Sequence, residues 1–172
     1  MENLGYYRFP VFSTCDMSAQ PSSDGTYRIK VIDQNLYIQS VPYPNNPGLK
    51  LACLDTNDTK QQWIIKKDYS STNTWTITSA DNNWGVNYTR NLDTYWGYGY
   101  PHPKDGPSQT WCIDSQSSQG KFYSKIKLFN DTYSYCFDSG SLGSDAVHFY
   151  YDKGNLSQSP HQCFVFEQVY NQ

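Results

Sequence analysis

The segment Gln61-Gln62-Trp63-Ile64-Ile65 recurs as Gln109-Thr110-Trp111-Cys112-Ile113 and, in a degenerate third copy, as Gln162-Cys163-Phe164-Val165-Phe166. In every copy a large aromatic is followed two residues later by an apolar side chain, and a β-strand turns positions i and i+2 toward one face. Each copy therefore predicts a strand with one buried face. The aromatics at 63, 111 and 164 stand 48 and 53 residues apart, a spacing that suits a structural unit and is too long for any one element. The chain is expected to fold as three such units.

A second register carries the same period. The turn signal Asp24-Gly25 opens Thr26-Tyr27-Arg28-Ile29-Lys30-Val31-Ile32, in which Tyr27, Ile29 and Val31 alternate with polar residues. The same opening returns as Thr74-Trp75-Thr76-Ile77-Thr78 and as Tyr123-Ser124-Lys125-Ile126-Lys127-Leu128, placing Ile29, Ile77 and Ile126 at intervals of 48 and 49 residues. Between its opening and closing strands each unit holds two shorter candidates: 36–41 and 49–54, 84–88 and 94–100, 133–137 and 146–151. Loops at 42–48, 101–107 and 152–155 separate them with Pro, Gly and Asn chemistry. No segment carries a 3.6-residue apolar stripe with caps. The expectation is an all-β domain over 24–172, with repeats at about 24–67, 73–114 and 121–170. Ahead of it lies an arm at 1–23, whose Tyr6, Tyr7, Phe9 and Phe12 predict packing on the domain.

Three units of four short strands give twelve strands, and each unit ends in an aromatic that must be buried. A closed barrel with pseudo-threefold symmetry and a hairpin cap satisfies this, because closure removes exposed sheet edges. That architecture is a β-trefoil. Its closing aromatics would meet near the axis, and their Gln neighbours would hold backbone groups that apolar packing cannot satisfy.

Composition narrows the function. The 172 residues suffice for one well-filled core, and no linker divides them. Aromatics make up 17% of the chain, with 16 Tyr and 5 Trp, a surplus that suggests exposed stacking surfaces for sugar faces or nucleobases. Only 13 Lys and Arg stand against 16 acids, so the net charge of −3 argues against neutralising phosphates and hence against nucleic acid. A mean hydropathy of −0.74 without a long apolar run excludes a membrane-spanning helix. The opening Met1-Glu2-Asn3-Leu4-Gly5 resembles no secretory signal, and five widely spaced cysteines (Cys15, Cys53, Cys112, Cys136, Cys163) read as free thiols, so a cytoplasmic protein is expected. Four Asn-x-Ser/Thr sequons, at Asn57, Asn87, Asn130 and Asn155, are discounted as chance in so Asn-, Ser- and Thr-rich a chain.

The pattern Gln61-Gln62-Trp63, Gln109-Thr110-Trp111 and Gln162-Cys163-Phe164 resembles the Q-x-W that closes each unit of the ricin-B-type lectins. The run from Gln62 through Trp75 and Ile77 to Trp84-Gly85 looks like the small mushroom members, which are cytosolic defence lectins. The resemblance covers 24–170 and implies a non-catalytic carbohydrate-binding protein for Gal/GalNAc- or GlcNAc-containing glycans, with no cofactor. As partners it implies glycans of glycoproteins or glycolipids and leaves room for a homodimer. A rival resemblance is to the mushroom cysteine-protease inhibitors of the clitocypin and macrocypin type, which share the trefoil and an Asp-Gly-x-Tyr opening. In that reading the Pro-rich loop at 42–47 or 101–107 would be the inhibitory element.

In the lectin family a sugar site joins an Asp in the second strand, an aromatic platform about a dozen residues later, and polar groups before the closing aromatic. Unit three resembles this: Asp138 as anchor, Tyr150 or Tyr151 as platform, and Asn155, His161 and Gln162 as further hydrogen-bonding groups. Asp accepts from two vicinal hydroxyls while a ring covers the apolar sugar face. His161 departs from the family's usual Asn, and Phe164 from its Trp. Against this reading, Asp138-Ser139-Gly140 also has the sequence of a turn, with the tyrosines as core. Unit one has Tyr37-Ile38-Gln39 where the Asp should stand and is expected to be structural. Unit two lacks the Asp too, but Trp84, Trp96 and Tyr98 crowd near Tyr95, Tyr100 and the 101–107 loop as a second candidate surface.

Catalysis finds little footing. Only two Glu occur, Glu2 and Glu167, so a facing carboxylate pair for glycoside hydrolysis is not expected. Cys163 beside His161 sits among repeat positions, as a structural thiol would. The three histidines lack metal-ligand spacing.

Overall fold

The computed structural model describes residues 17–41, 48–69, 71–90, 96–102, 110–129, 134–140 and 145–170, with backbone alone for 88–90 and 96–102. The first strand, β1 (Met17–Ser18), belongs to the arm. Unit one contributes β2 (Gly25–Val31), β3 (Leu36–Ser40), β4 (Leu49–Cys53) and β5 (Trp63–Asp68). Unit two contributes β6 (Thr74–Ser79), β7 (Gly85–Arg90), β8 (Trp96–His102) and β9 (Thr110–Ser118). Unit three contributes β10 (Lys121–Leu128), β11 (Tyr135–Asp138), β12 (His148–Tyr151) and β13 (Phe164–Gln168). The only helical turns among the described residues are two 3-10 turns, Thr59–Gln61 and Pro160–Gln162.

Six strands close on themselves through antiparallel pairs: β2 with β5, β5 with β6, β6 with β9, β9 with β10, β10 with β13, and β13 back to β2. The remaining strands form three hairpins, β3–β4, β7–β8 and β11–β12. Cap hairpins two and three join edge to edge through β8 and β12. A bridge between Lys50 and Ala146 ties hairpin one to the approach of β12. The β9–β10 hairpin closes on Gln119-Gly120, with φ of 54° and 74°, the left-handed pair that matches the twist of the flanking strands.

The core follows the repeat. Trp63, Trp111 and Phe164 are fully buried, as are Ile65, Ile113 and Phe166 two residues on and Ile29, Ile77 and Ile126 of the opening strands. The Trp63 indole donates to the Ile38 carbonyl (2.9 Å) and the Trp111 indole to the Val86 carbonyl (3.3 Å), so two units repeat the same bond. Phe164 has no such donor; it packs edge-on against Phe137, with ring centroids 6.2 Å apart. The Gln side chains also act in parallel. Gln61 donates to the Cys53 carbonyl (2.7 Å) and accepts from the Asp55 N–H (2.9 Å). Gln162 donates to the Tyr151 carbonyl (3.0 Å) and accepts from the Lys153 N–H (3.0 Å). Of the arm, Met17 and Ser18 pair with Glu167 and Phe166; its residues 1–16, like the 42–47 and 103–107 loop positions, lie outside the described residues.

Candidate functional site

Strands β11 and β12 carry the unit-three residues, in register Asp138↔His148, Phe137↔Phe149, Cys136↔Tyr150 and Tyr135↔Tyr151. Phe137 and Phe149 point into the core, ring centroids 4.8 Å apart. By alternation Asp138 and Tyr150 take the other face.

Asp138 is fully buried. One carboxylate oxygen accepts from the Gly140 N–H (3.2 Å) and the other from Gln162 Nε2 (3.0 Å). The turn that its sequence allows is thus formed, and it is closed by His161: Ser139 N–H and Ser139 Oγ each donate to the His161 carbonyl at 2.8 Å. Gly140 lies so near the His161 ring that an added Cβ would sit 3.1 Å from Nδ1. His148, opposite Asp138, has a pKa below the usual histidine value, because burial penalises the cation more than the Asp138 charge favours it.

Strand β12 ends beside this layer in two tyrosines. Tyr150 is half-buried and Tyr151 is 47% exposed, with ring centroids 4.4 Å apart, and the Lys153 ammonium stands 4.2 Å from the Tyr150 ring centre. Asn155 is exposed and shapes its own turn, its Oδ1 accepting from the Ser157 N–H (3.1 Å) and hydroxyl (2.6 Å). Gln162 is buried and committed to four bonds, the fourth from Lys125 Nζ (3.2 Å). Tyr150, Tyr151, Asp138, His161 and Gln162 therefore come together, whereas Asn155 faces solvent in a neighbouring turn.

Trp84 stands half-buried just ahead of β7, its backbone N–H donating to Asn82 Oδ1 (3.0 Å). The backbone of β8 sets Trp96 opposite Tyr150 and Tyr98 opposite His148, so the candidate positions of units two and three share one sheet. The side chains of Trp96 and Tyr98 lie outside the described residues.

A partly buried ion cluster centred on Lys125 of unit three was not legible in the sequence. Lys125 is fully buried and bonds Asp152 as well as Gln162. Lys127 bridges Asp152 (3.1 Å) and Asp114 (3.2 Å). Burial works to raise the Asp152 carboxyl, but hydrogen bonds from Lys125, the Gly154 N–H and Lys127 outweigh it and hold the pKa below the ordinary value. Residues 152–159 lie over β10 and create this cover, with Leu156 N–H donating to Tyr123 Oη (3.1 Å) and Leu156 packed with Tyr123, Ile32 and Cys163. Burial also pushes the Cys136 thiol far up and the Cys163 thiol to about 11, so neither is a poised nucleophile. Among the described residues no group of His, Cys, Asp and Glu is arranged to hold a metal.

No protein-family profile and no curated protein sequence matches the chain. Solved structures do. A mosquitocidal holotoxin matches over 86% of this chain and 17% of its own, at 18% identity and TM-score 0.61. The Macrolepiota procera ricin B-like lectin, solved with lactose, matches over 87% and 99%, at 16% identity and TM-score 0.64. The Polyporus squamosus lectin, solved with the human-type influenza-binding epitope Neu5Aca2-6Galb1-4GlcNAc, matches over 87% and 50%, at 16% identity and TM-score 0.66. The chain thus spans less than a fifth of the holotoxin and half of the Polyporus lectin. With the closed six-strand barrel and three cap hairpins, these similarities define the protein as a β-trefoil.

Proposed function

We propose that this β-trefoil is a ricin-B-type lectin that binds Gal/GalNAc- or GlcNAc-containing glycans through unit three and catalyses no reaction. The observation that carries this reading is the Tyr150–Tyr151 ring pair on β12, with Tyr151 exposed and its carbonyl bonded to the same Gln162 that holds Asp138. A sugar ring stacked on Tyr151 would present its hydroxyls to His161 and the 138–140 turn. Asp138 supports that surface from beneath, since both its oxygens already accept protein N–H groups and hold the 138–140 turn and Gln162 in place. The shared β8–β12 sheet supports a glycan that also touches unit two near Trp96 and Tyr98, with Trp84 at its edge. The solved relatives with lactose and a sialylated glycan support the ligand class. The free, buried thiols of Cys136 and Cys163 support a cytosolic setting, as a defence role would have.

The test is binding of the full chain to immobilised lactose and N-acetylglucosamine before and after Tyr151→Ala, Asp138→Ala and Trp84→Ala, with circular dichroism as the fold control. Tyr151→Ala is expected to weaken binding at least about tenfold, equivalent to ~1.4 kcal/mol, with an unchanged spectrum. Undiminished binding in all three variants overturns the assignment of the site.

A further inference from the structure

At the other end of the barrel from the cap hairpins, the β5–β6 hairpin and the segment 20–24 enclose a cleft of about 560 Å³ that the proposed unit-three site does not use. Its floor is β6, which holds Trp75 opposite Lys67 on one side and Trp111 on the other. Segment 20–24 forms a fixed wall: Asp24 Oδ1 accepts from the Lys67 N–H (2.8 Å), and the Tyr27 hydroxyl donates to the Ser23 carbonyl (2.9 Å). Tyr69, at the hairpin turn, is 83% exposed and lines the cleft beside Asn73 and Ser22.

Trp75 is the anomaly. It is 5% exposed, and its indole nitrogen is buried with no hydrogen-bond partner among the described residues, while the Trp63 and Trp111 indoles each donate to a backbone carbonyl. Buried donors are nearly always satisfied, so a donor without a partner among the described residues, on a side chain that lines a cleft, points to an acceptor that enters the cleft. The Lys67 ammonium, 5.9 Å from the Trp75 ring centre, and the Asp24 carboxylate make the rim charge-balanced, which disfavours a strongly ionic guest. An open aromatic ring, an unused donor, hydroxyl and amide groups and no net charge together fit a ring with an apolar face and equatorial hydroxyls.

We propose that this cleft is a second saccharide site, taking a neutral pyranose that stacks on Tyr69 and accepts from the Trp75 indole. It rests on the reading of the chain as a glycan binder, but shares no residue with the unit-three site. A molecule with sites at opposite ends can cross-link two glycans without forming a dimer.

The test follows the Trp side-chain N–H signals of the full chain by two-dimensional 15N NMR during titration with lactose or N-acetylglucosamine to tens of millimolar. Trp75→Phe assigns the Trp75 signal. That signal is expected to move with either sugar, with an apparent affinity reduced about tenfold by Tyr69→Ala and unchanged by Tyr151→Ala. A Trp75 signal that stays still while unit-three resonances shift overturns the second site and leaves the lectin reading intact. So does a shift that survives Tyr69→Ala but disappears in Tyr151→Ala. Stillness of every resonance overturns both.

Discussion

Replacing Gln162 by Ala should destabilise the protein more than the same change at Gln61, although both occupy the first position of the repeated motif. Gln61 serves two backbone groups, the Cys53 carbonyl at 2.7 Å and the Asp55 N–H at 2.9 Å. Gln162 serves the equivalent pair, on Tyr151 and Lys153, and also Lys125 Nζ at 3.2 Å and Asp138 Oδ2 at 3.0 Å. Leaving a buried polar group without its partner costs about 1–3 kcal/mol. The groups orphaned by Gln61→Ala belong to exposed residues that water can reach, so about 1–2 kcal/mol is expected there. Lys125 and Asp138 are fully buried, and water cannot replace Gln162; the loss there should be about 3–5 kcal/mol, a large share of a typical domain's stability. With a urea m-value of about 2–3 kcal/mol/M for a chain this size, the Gln162→Ala midpoint should fall by about 1–2 M and the Gln61→Ala midpoint by about 0.5–1 M. Equal shifts, or a Gln162→Ala midpoint within error of the parent, would refute the claim that Gln162 joins the motif to the Lys125 ion cluster.

Acid should expose the two titrating groups of unit three in sequence. His148 has a lowered folded pKa, so its contribution to stability is present above the unfolded value of about 6.5 and is lost as pH falls below it; His148→Gln should flatten that part of the stability curve. Asp152 also has a lowered folded pKa, so its contribution is present above about 4 and is lost below; urea midpoints of the parent and Asp152→Asn should converge as pH drops through that range. A thiol reagent at pH 8, read by intact mass, should label exposed Cys53 in the native protein but reach Cys136 and Cys163 only after unfolding. Trp111→Phe, which orphans the Val86 carbonyl, should lower the thermal midpoint, whereas Phe122→Ser at a 71% exposed position should leave it unchanged within a degree or so.

The barrel was legible because its evidence is periodic. An aromatic and an apolar residue two positions later, repeated with Ile29, Ile77 and Ile126, can satisfy burial in every unit only if the strands close. Even the Gln residues could be assigned to backbone groups in advance, and Gln61 and Gln162 do bind them. What the pattern could not carry was cover from distant chain. Tyr123, Lys125 and Lys127 alternate with the core-facing residues of β10 and so read as a solvated face; residues 152–159 fold over that face and bury Lys125. Nothing local in Tyr123 to Leu128 encodes that loop. Asp138 shows a similar limit: its sequence allowed a turn or a sugar anchor, and only the three-dimensional positions of Gly140 and Gln162 show that both carboxylate oxygens are engaged. The pairing of β8 with β12, which sets Trp96 against Tyr150, joins segments more than fifty residues apart and has no local signature either. The Q-x-W motif thus reports the scaffold, and the proposed site lies in the less regular residues between its copies.

A glycan array probed with the full chain at micromolar concentration tests the central claim most directly. Saturable binding to a set of structures sharing a terminal Gal, GalNAc or GlcNAc, competed by the free sugar, is the predicted result. Absence of any competable signal across the array, from protein whose circular dichroism and urea transition show it folded, would contradict it.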